Sequence, residues 1–542
     1  MKSIYKYLSF FIFLLIGLQA GSKDYAIKDC EVKPEGAQGF AIRAFPPSDC
    51  LSPVVASAHS IVIARNEAIQ DYLITDFGVQ RDGSILYTTS IQRAIDAIHE
   101  RGGGRLVFPT GKYITGSIYL KSNVTLHFEK GAVLYGSTNP LDYVKDEYLG
   151  WQSLIFAVKQ DNIGITGPGI IDGRGFITAN NMVSLIHYGI IKDELRNDRP
   201  VETNRPENIY FRECNNVTIT DITLRDPASW TQTYDQCRNV TVDNIRVEAN
   251  SYWNNDGIDI VDCDGVVIKN SWFDAADDVL CFKSHSPDHI CQNVTVDNCV
   301  GRSGANGLKF GTVSRGGFKN FKVSNVTIYD TYRSAITFAA VDGAEIENIE
   351  VVGLKAINTG NVIFLRIGDR RSAGKTPYMK NIRITDVYAE VPDFKPDKGY
   401  NYEGPVEDLP RNVSPASISG MPGNLIQDVT LKNITIVYPG GSDSLYAYRG
   451  VTPVELDSIP EMIAAYPEFS CWKELPAWGF YLRHVKGITF DNVVLKAKKI
   501  DYRPAIVMDD VHNGNFRGMV IDEPESQGKK QLIEHQSTNI VK

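Results

Sequence analysis

Four short stretches of the chain share one alternation of apolar and polar positions. Cys214-Asn-Asn-Val, Cys237-Arg-Asn-Val, Cys263-Asp-Gly-Val and Cys291-Gln-Asn-Val each open a run in which apolar residues recur at every second place, as in VTITDITL and VTVDNIRV. The slot continues at Phe318, Ile346, Met379 and Ile426, at intervals of 23, 26, 28, 27 and 28 residues that lengthen to 33 and 47. A period of two predicts strands with one buried face, and no helical spacing separates them. Self-similarity at about 20 to 50 residues predicts a solenoid.

A second ladder runs through the same units. Asp256-Gly-Ile-Asp-Ile, Asp278-Val-Leu-Cys-Phe, Asn306-Gly-Leu-Lys-Phe, Ser334-Ala-Ile-Thr-Phe and Asn361-Val-Ile-Phe-Leu are spaced by 22, 28, 28 and 27 residues. Two ladders with one period predict an all-β fold, a right-handed parallel β-helix over 74–515, its late coils lengthened by loops near 392–425 and 439–480. Upstream, TTSIQRAIDAIHERGGG (Thr88–Gly104) places apolar residues at Ile91, Ala94, Ile95 and Ile98. That spacing predicts an amphipathic helix ended by glycines, suited to cap the open end of the solenoid. Residues 21–73 form an N-terminal extension with no assigned element, and 516–542 a C-terminal tail.

The ladders change how two other patterns read. Asn-Val-Thr at Asn123, Asn216, Asn239 and Asn293 fits a glycosylation acceptor, but its recurrence in register points to asparagines in left-handed turns that bond their stacked equivalents. The cysteine column is expected to be buried and reduced rather than bridged. Cys30 and Cys50, outside the repeats, are the one pair expected to form a disulfide.

Composition is that of a globular protein: 43% hydrophobic and 22% charged over 542 residues. A net charge of -9 argues against nucleic acid or an anionic membrane as partner. Lys2 and Lys6 precede an apolar run from Leu8 to Leu18, followed by Ala20, Gly21 and Ser22. This predicts a secretory signal over 1–20 and export to the periplasm or the medium.

The candidate chemistry sits in the second ladder. Its second and fourth residues after the opening position are apolar and face the core, so Asp259, Lys283, Lys309 and Arg366 are expected to point outward. Strict alternation would bury the opening residues Asp256 and Asp278, and an unpartnered buried carboxylate costs several kcal/mol. They are therefore expected on the bend leading into each strand, with Asp277 beside them. Carboxyl groups crowded on adjacent coils raise at least one pKa, giving a protonated acid next to an ionised base. Glycoside hydrolysis needs that pairing. Calcium ligation or a solvated turn are the plainer alternatives.

NNDGIDIVDC resembles the Asn-Thr-Asp motif of glycoside hydrolase family 28, the polygalacturonase family. DDVLCFKS resembles its Asp-Asp motif and SGANGLKFGT its Gly-His-Gly motif. FGVQRDGS, NRPENIYFREC and TLRDPASW are similar to family members too, and the likeness runs from about Ile74 to Val511. It implies inversion by direct water attack, with Asp277 as general acid and Asp256 and Asp278 holding and activating the water. No cofactor or metal is expected. Tight stacking would set the acids closer than the usual inverting separation.

Two family features are missing. The histidine of Gly-His-Gly falls on Asn306, and the Arg-Ile-Lys motif that grips a uronate falls on Thr337-Phe338-Ala339. Lys283, Lys309 and Arg366 are candidate replacements for holding an acidic group, with solvated ladder positions as the alternative. Asn254 and Asn306 are further candidate substrate contacts. Trp230 and Tyr234 offer sugar-stacking faces, core packing being the equal alternative. His187 and His285 are assigned no role. The expected partner is an acidic plant-type polysaccharide or oligosaccharide, bound by a monomer. Long late loops that keep Tyr446, Tyr448, Tyr466 and Trp472 would wall off one end of the groove and favour exo attack, unless they pack on the far side. A β-helix lyase and a non-catalytic glycan-binding β-helix are the competing readings.

Overall fold

The computed structural model describes residues 70–196, 198–394, 396 and 414–542, apart from the side chains of Tyr446 and Ala447. The expected signal, the extension up to residue 69, Cys30, Cys50 and much of the loop near 392–425 lie outside the described residues.

The described chain is a right-handed parallel β-helix. Three short strands make each coil in its central part, as in Ile258–Val261, Asp264–Lys269 and Trp272–Ala275, followed one coil later by Leu280–Ser284, Cys291–Asp297 and Val300–Ser303. The expected register holds to the residue. Ile258 pairs with Leu280, Leu280 with Leu308, Leu308 with Ile336 and Ile336 with Ile363. The neighbouring column, two residues on, runs from Phe338 to Leu365 and then through Ile418 and Leu482 to Met508. All of these are fully buried, so the ladder is the hydrophobic core itself.

Cys214, Cys237, Cys263 and Cys291 are buried and free, as expected of a reduced column. Their thiols donate to backbone carbonyls, Cys237 Sγ to Phe211 O at 3.4 Å and Cys263 Sγ to Tyr234 O at 3.1 Å. The asparagines also behave as expected. Asn123, Asn162, Asn216 and Asn239 have φ between 53° and 63°. Their side chains bond in a file, Asn162 to Asn123 at 2.9 Å, Asn216 to Asn162 at 3.0 Å and Asn239 to Asn216 at 3.2 Å. Left-handed backbone costs an L-residue roughly 1–2 kcal/mol, least for asparagine, whose short amide also bonds locally.

Helix α1 spans Thr88–Glu100 with Ile91, Ala94, Ile95 and Ile98 buried, and it packs on the strands of the first coil. A second helix, α2 (Gly175–His187), was not expected from the spacing of the strands. The ends differ from expectation as well. Asp71–Leu73 already pairs with Gly104–Phe108, ahead of residue 74. The tail expected at 516–542 instead carries strands Met519–Asp522, Leu532–His535 and Thr538–Val541, which pair with the preceding coils. Among the described residues no helix is long and apolar enough to cross a membrane.

The outward face of the second ladder is covered over its late coils. Phe364, Tyr481, Val507 and Ile533 form an apolar cluster with Leu456, Ile459, Phe469, Trp472 and Leu475 of the late insertion. That loop therefore packs on the ladder's outward face and not on the far side.

Candidate active site

Asp256 and Asp278 precede strands Ile258–Val261 and Leu280–Ser284, on the bends where they were expected. Both are nearly sealed, whereas Asp277 keeps part of its surface open. The backbone N–H of Asp277 donates to Asn255 O at 3.2 Å and its carbonyl accepts from Ser303 Oγ at 2.6 Å. Carboxylate oxygens of Asp256 and Asp278 and the Cys281 thiol lie within 4.8 Å of one another. Asp256 and Asp278 are thus crowded as expected of acids on adjacent coils. The close pair joins the two carboxyl groups expected on the water side.

Asp278 is held by an amide. Its Oδ1 accepts from Asn306 N at 3.0 Å and Asn306 Nδ2 at 2.7 Å. Asn306 Oδ1 in turn accepts from Thr337 Oγ1 at 2.9 Å, which fixes the amide's orientation. Asn306 is fully buried, so it positions Asp278 and does not touch substrate as expected. The two residues that replace the family's cationic motifs are thus bonded to each other.

The three expected substrate cations are all corrected. Lys283 Nζ lies 3.0 Å from Asp256 Oδ2, 2.6 Å from Asp259 Oδ1 and 2.7 Å from Cys281 Sγ. Two of the ammonium's three donors are taken by Asp256 and Cys281, and Asp259 is held beside it as an ion pair. Lys283 therefore supplies, inside the acid cluster, the positive charge that so many carboxylates require. Lys309 is sealed, with Nζ 3.4 Å from Glu468 Oε1. Arg366 donates to Ser419 Oγ at 2.9 Å and to the carbonyls of Gly420 and Glu461, under the Trp472 ring. The late insertion lies on it, so it cannot reach a sugar.

Asn254 remains partly open, at φ 58°. The buried Arg205 holds it by donating from Nη2 to Asn254 Oδ1 at 2.7 Å and from Nη1 to the carbonyls of Ala228 and Trp253. Trp230 is half-buried, 4.6 Å from the Trp151 ring, and the Lys283 ammonium stands 4.4 Å from its centroid. Tyr234 is core: fully buried, its hydroxyl bonded to Gln232. Tyr466 is an exposed ring on the insertion, with Lys309, Arg333 and Arg370 between 5.7 and 5.9 Å from its centre.

The electrostatics separate the adjacent aspartates. Burial, then the neighbouring Asp278 charge, pushes the Asp277 carboxyl up to about 6. Burial acts on Asp278 as well, but Lys309, Lys283 and the Asn306 amide outweigh it and hold Asp278 below its ordinary value. Asp256 is pushed well up by burial and by Asp259, Asp277 and Asp278, against the pull of Lys283. One neutral carboxyl therefore stands beside an ionised one.

Sequence reasoning missed Arg333, which directly precedes the ladder position Ser334, and Glu468 and Trp151, which lie outside the ladder units. Arg205 and the buried Glu207 lie in NRPENIYFREC, a stretch similar to family members, so a signal for them existed.

Comparison with known proteins agrees with the geometry. The family described as glycosyl hydrolases family 28 matches residues 102–339. An exo-poly-alpha-D-galacturonosidase of Dickeya chrysanthemi is 29% identical over 250 residues, which cover 39% of this chain and 41% of that protein. The chain thus matches less than half of that relative's length. A probable polygalacturonase of Vitis vinifera is 24% identical over 72% of this chain and 80% of its own. The solved exopolygalacturonase of Thermotoga maritima, 22% identical, shares the fold with a TM-score of 0.54 over 68% of this chain and 87% of its own. Residues 102–339, which carry Asp256, Asp277 and Asp278 on a matching parallel β-helix, belong to glycosyl hydrolases family 28, a family of glycoside hydrolases.

Proposed function

We propose that the protein is an exported, exo-acting hydrolase of a galacturonate-containing polysaccharide or oligosaccharide, and that it inverts the anomeric centre. The carrying observation is the opposed protonation of neighbours: Asp277 partly open and neutral up to about pH 6, Asp278 sealed and ionised. Asp277 gives its proton to the glycosidic oxygen as the bond to the anomeric carbon breaks. Asp278, beside Asp256, takes a proton from the water that attacks that carbon from the opposite face. Lys283 keeps the cluster from carrying an uncompensated negative charge.

The cover supports exo action. The insertion packs on the acid-bearing face one coil beyond Asp278, and Trp151 with Trp230 bounds the other side. A groove closed at one end accepts a chain terminus. The names of the Dickeya and Thermotoga proteins support this reading.

Early digestion products of polygalacturonate test it. Single sugars should accumulate while viscosity stays high, with the product's anomeric configuration inverted by NMR. Mid-length oligosaccharides with a rapid drop in viscosity would overturn exo attack. An unsaturated, ultraviolet-absorbing product would overturn hydrolysis.

A further inference from the structure

Glu468 comes from the insertion, far from the acids in sequence, yet it ends against Lys309, one coil on from the strand that follows Asp278. It is nearly sealed, and its Oε1 accepts from Arg333 Nη1 at 2.8 Å and lies 3.4 Å from Lys309 Nζ. Its other oxygen, Oε2, is buried with no hydrogen-bond partner. A half-bonded buried carboxylate is costly to keep, and an insertion that only packed apolar side chains on the strands would not need one. The neighbouring Tyr466 ring stands near the same two cations.

Those cations look both ways. Lys309 lies in the column directly after Cys281 and its charge acts on Asp278 and Asp277, as does that of Arg333. The charged groups facing Asp277 are Asp278 on the same bend, Asp256 and Lys283 on neighbouring strands, and Lys309 and Arg333 on following coils. Glu468 faces Lys309 and Arg333 from behind, with Cys471 close by on its own segment.

We propose that Glu468 is a positioning residue for catalysis: by pairing with Lys309 and Arg333, it limits how much positive charge the acid/base pair experiences. This rests on Asp277 being the general acid. Without Glu468 the two cations act on Asp277 undiminished and strip its proton at lower pH. Without Lys309 the opposite holds. The insertion thereby does more than bound the groove, since it sets the pH range in which the acid stays protonated.

The test is the pH dependence of kcat/KM for reducing-end release from a short oligogalacturonide, in the full-length protein. Glu468→Gln should move the alkaline limb to lower pH by about one unit, the low end of the effect of one nearby charge. Lys309→Met should move it to higher pH by a similar amount. A purely structural role predicts lower activity or a lower melting temperature in both variants, with the limb in place. The inference is overturned if folded Glu468→Gln keeps the wild-type limb or loses turnover at every pH, or if both variants shift in the same direction. Should Glu468→Gln not fold, an unmoved limb in Lys309→Met overturns it alone. Asp277→Asn separates the two levels: turnover in that variant sinks the general-acid reading, whereas an inactive Asp277→Asn with unmoved limbs sinks only the role of Glu468.

Discussion

Asn306 and Thr337 show how a charged motif can be replaced without losing the carboxylate it served. The amide of Asn306 points its donors at Asp278 because the Thr337 hydroxyl occupies its oxygen. The positive charge has moved to Lys309 and Lys283, both sealed. Asp277 is then the residue on which the chemistry turns. Asp277→Asn should lower kcat on the order of 10²–10⁴-fold, the usual range for a general acid, in a correctly folded protein. Stability should move the other way. The folded carboxyl binds its proton up to about pH 6, above its ordinary 3.8, so the folded state carries a penalty that grows as pH rises through that window. The variant should therefore melt at or above the wild-type temperature at pH 7.5, with the gap closing by pH 3.5. A lower melting temperature for the variant at pH 7.5 would contradict this electrostatic account. By the same titration, wild-type kcat/KM should fall as pH rises through about 6.

Among elements, the asparagine file and the ladder columns were legible in the sequence because each obeys a strict period. Asn348 is a typical member, at φ 58°, donating to Asn320 Oδ1 and accepting from Asn381. Asn348→Ala should cost about 2 kcal/mol, roughly one for left-handed backbone and one for net hydrogen bonding. Asn348→Gly, which relieves the backbone part, should cost about half, as read from denaturation midpoints. What the period could not reveal is what lies on top of a strand. Alternation correctly sent Lys309 and Arg366 away from the core, but their cover comes from the insertion. Glu468 is 159 residues from Lys309, and the loop that carries it has no repeat to align. Lys309 and Arg366 were misread for that reason and Lys283 because its partners are the acids themselves, while the acids, which depend only on register, lie on the bends where they were expected.

At the scale of the molecule, catalysis and recognition are divided between two kinds of chain. The coils supply a rigid row of acids, and the segments that leave the coils supply walls, the exposed Tyr466 ring and the Glu468 carboxylate. The early digest should therefore report the walls, as single sugars, and its pH profile the coil bends. The column of Cys214, Cys237, Cys263 and Cys291 carries a different consequence if the chain is exported. Folded, these thiols are inert, since burial excludes oxidants and pushes Cys291 well above any pH at which a thiolate forms. Unfolded, all four are open to oxidation, and parallel pairing between distant coils is slow to form. Maturation is then a race between coil stacking and sulfur chemistry. Refolding from denaturant in an oxidising glutathione buffer should give a low yield of native protein and non-native bridges visible by mass spectrometry. The same refolding in excess reductant should restore the yield, whereas native protein placed directly in the oxidising buffer should gain no bridge within this column.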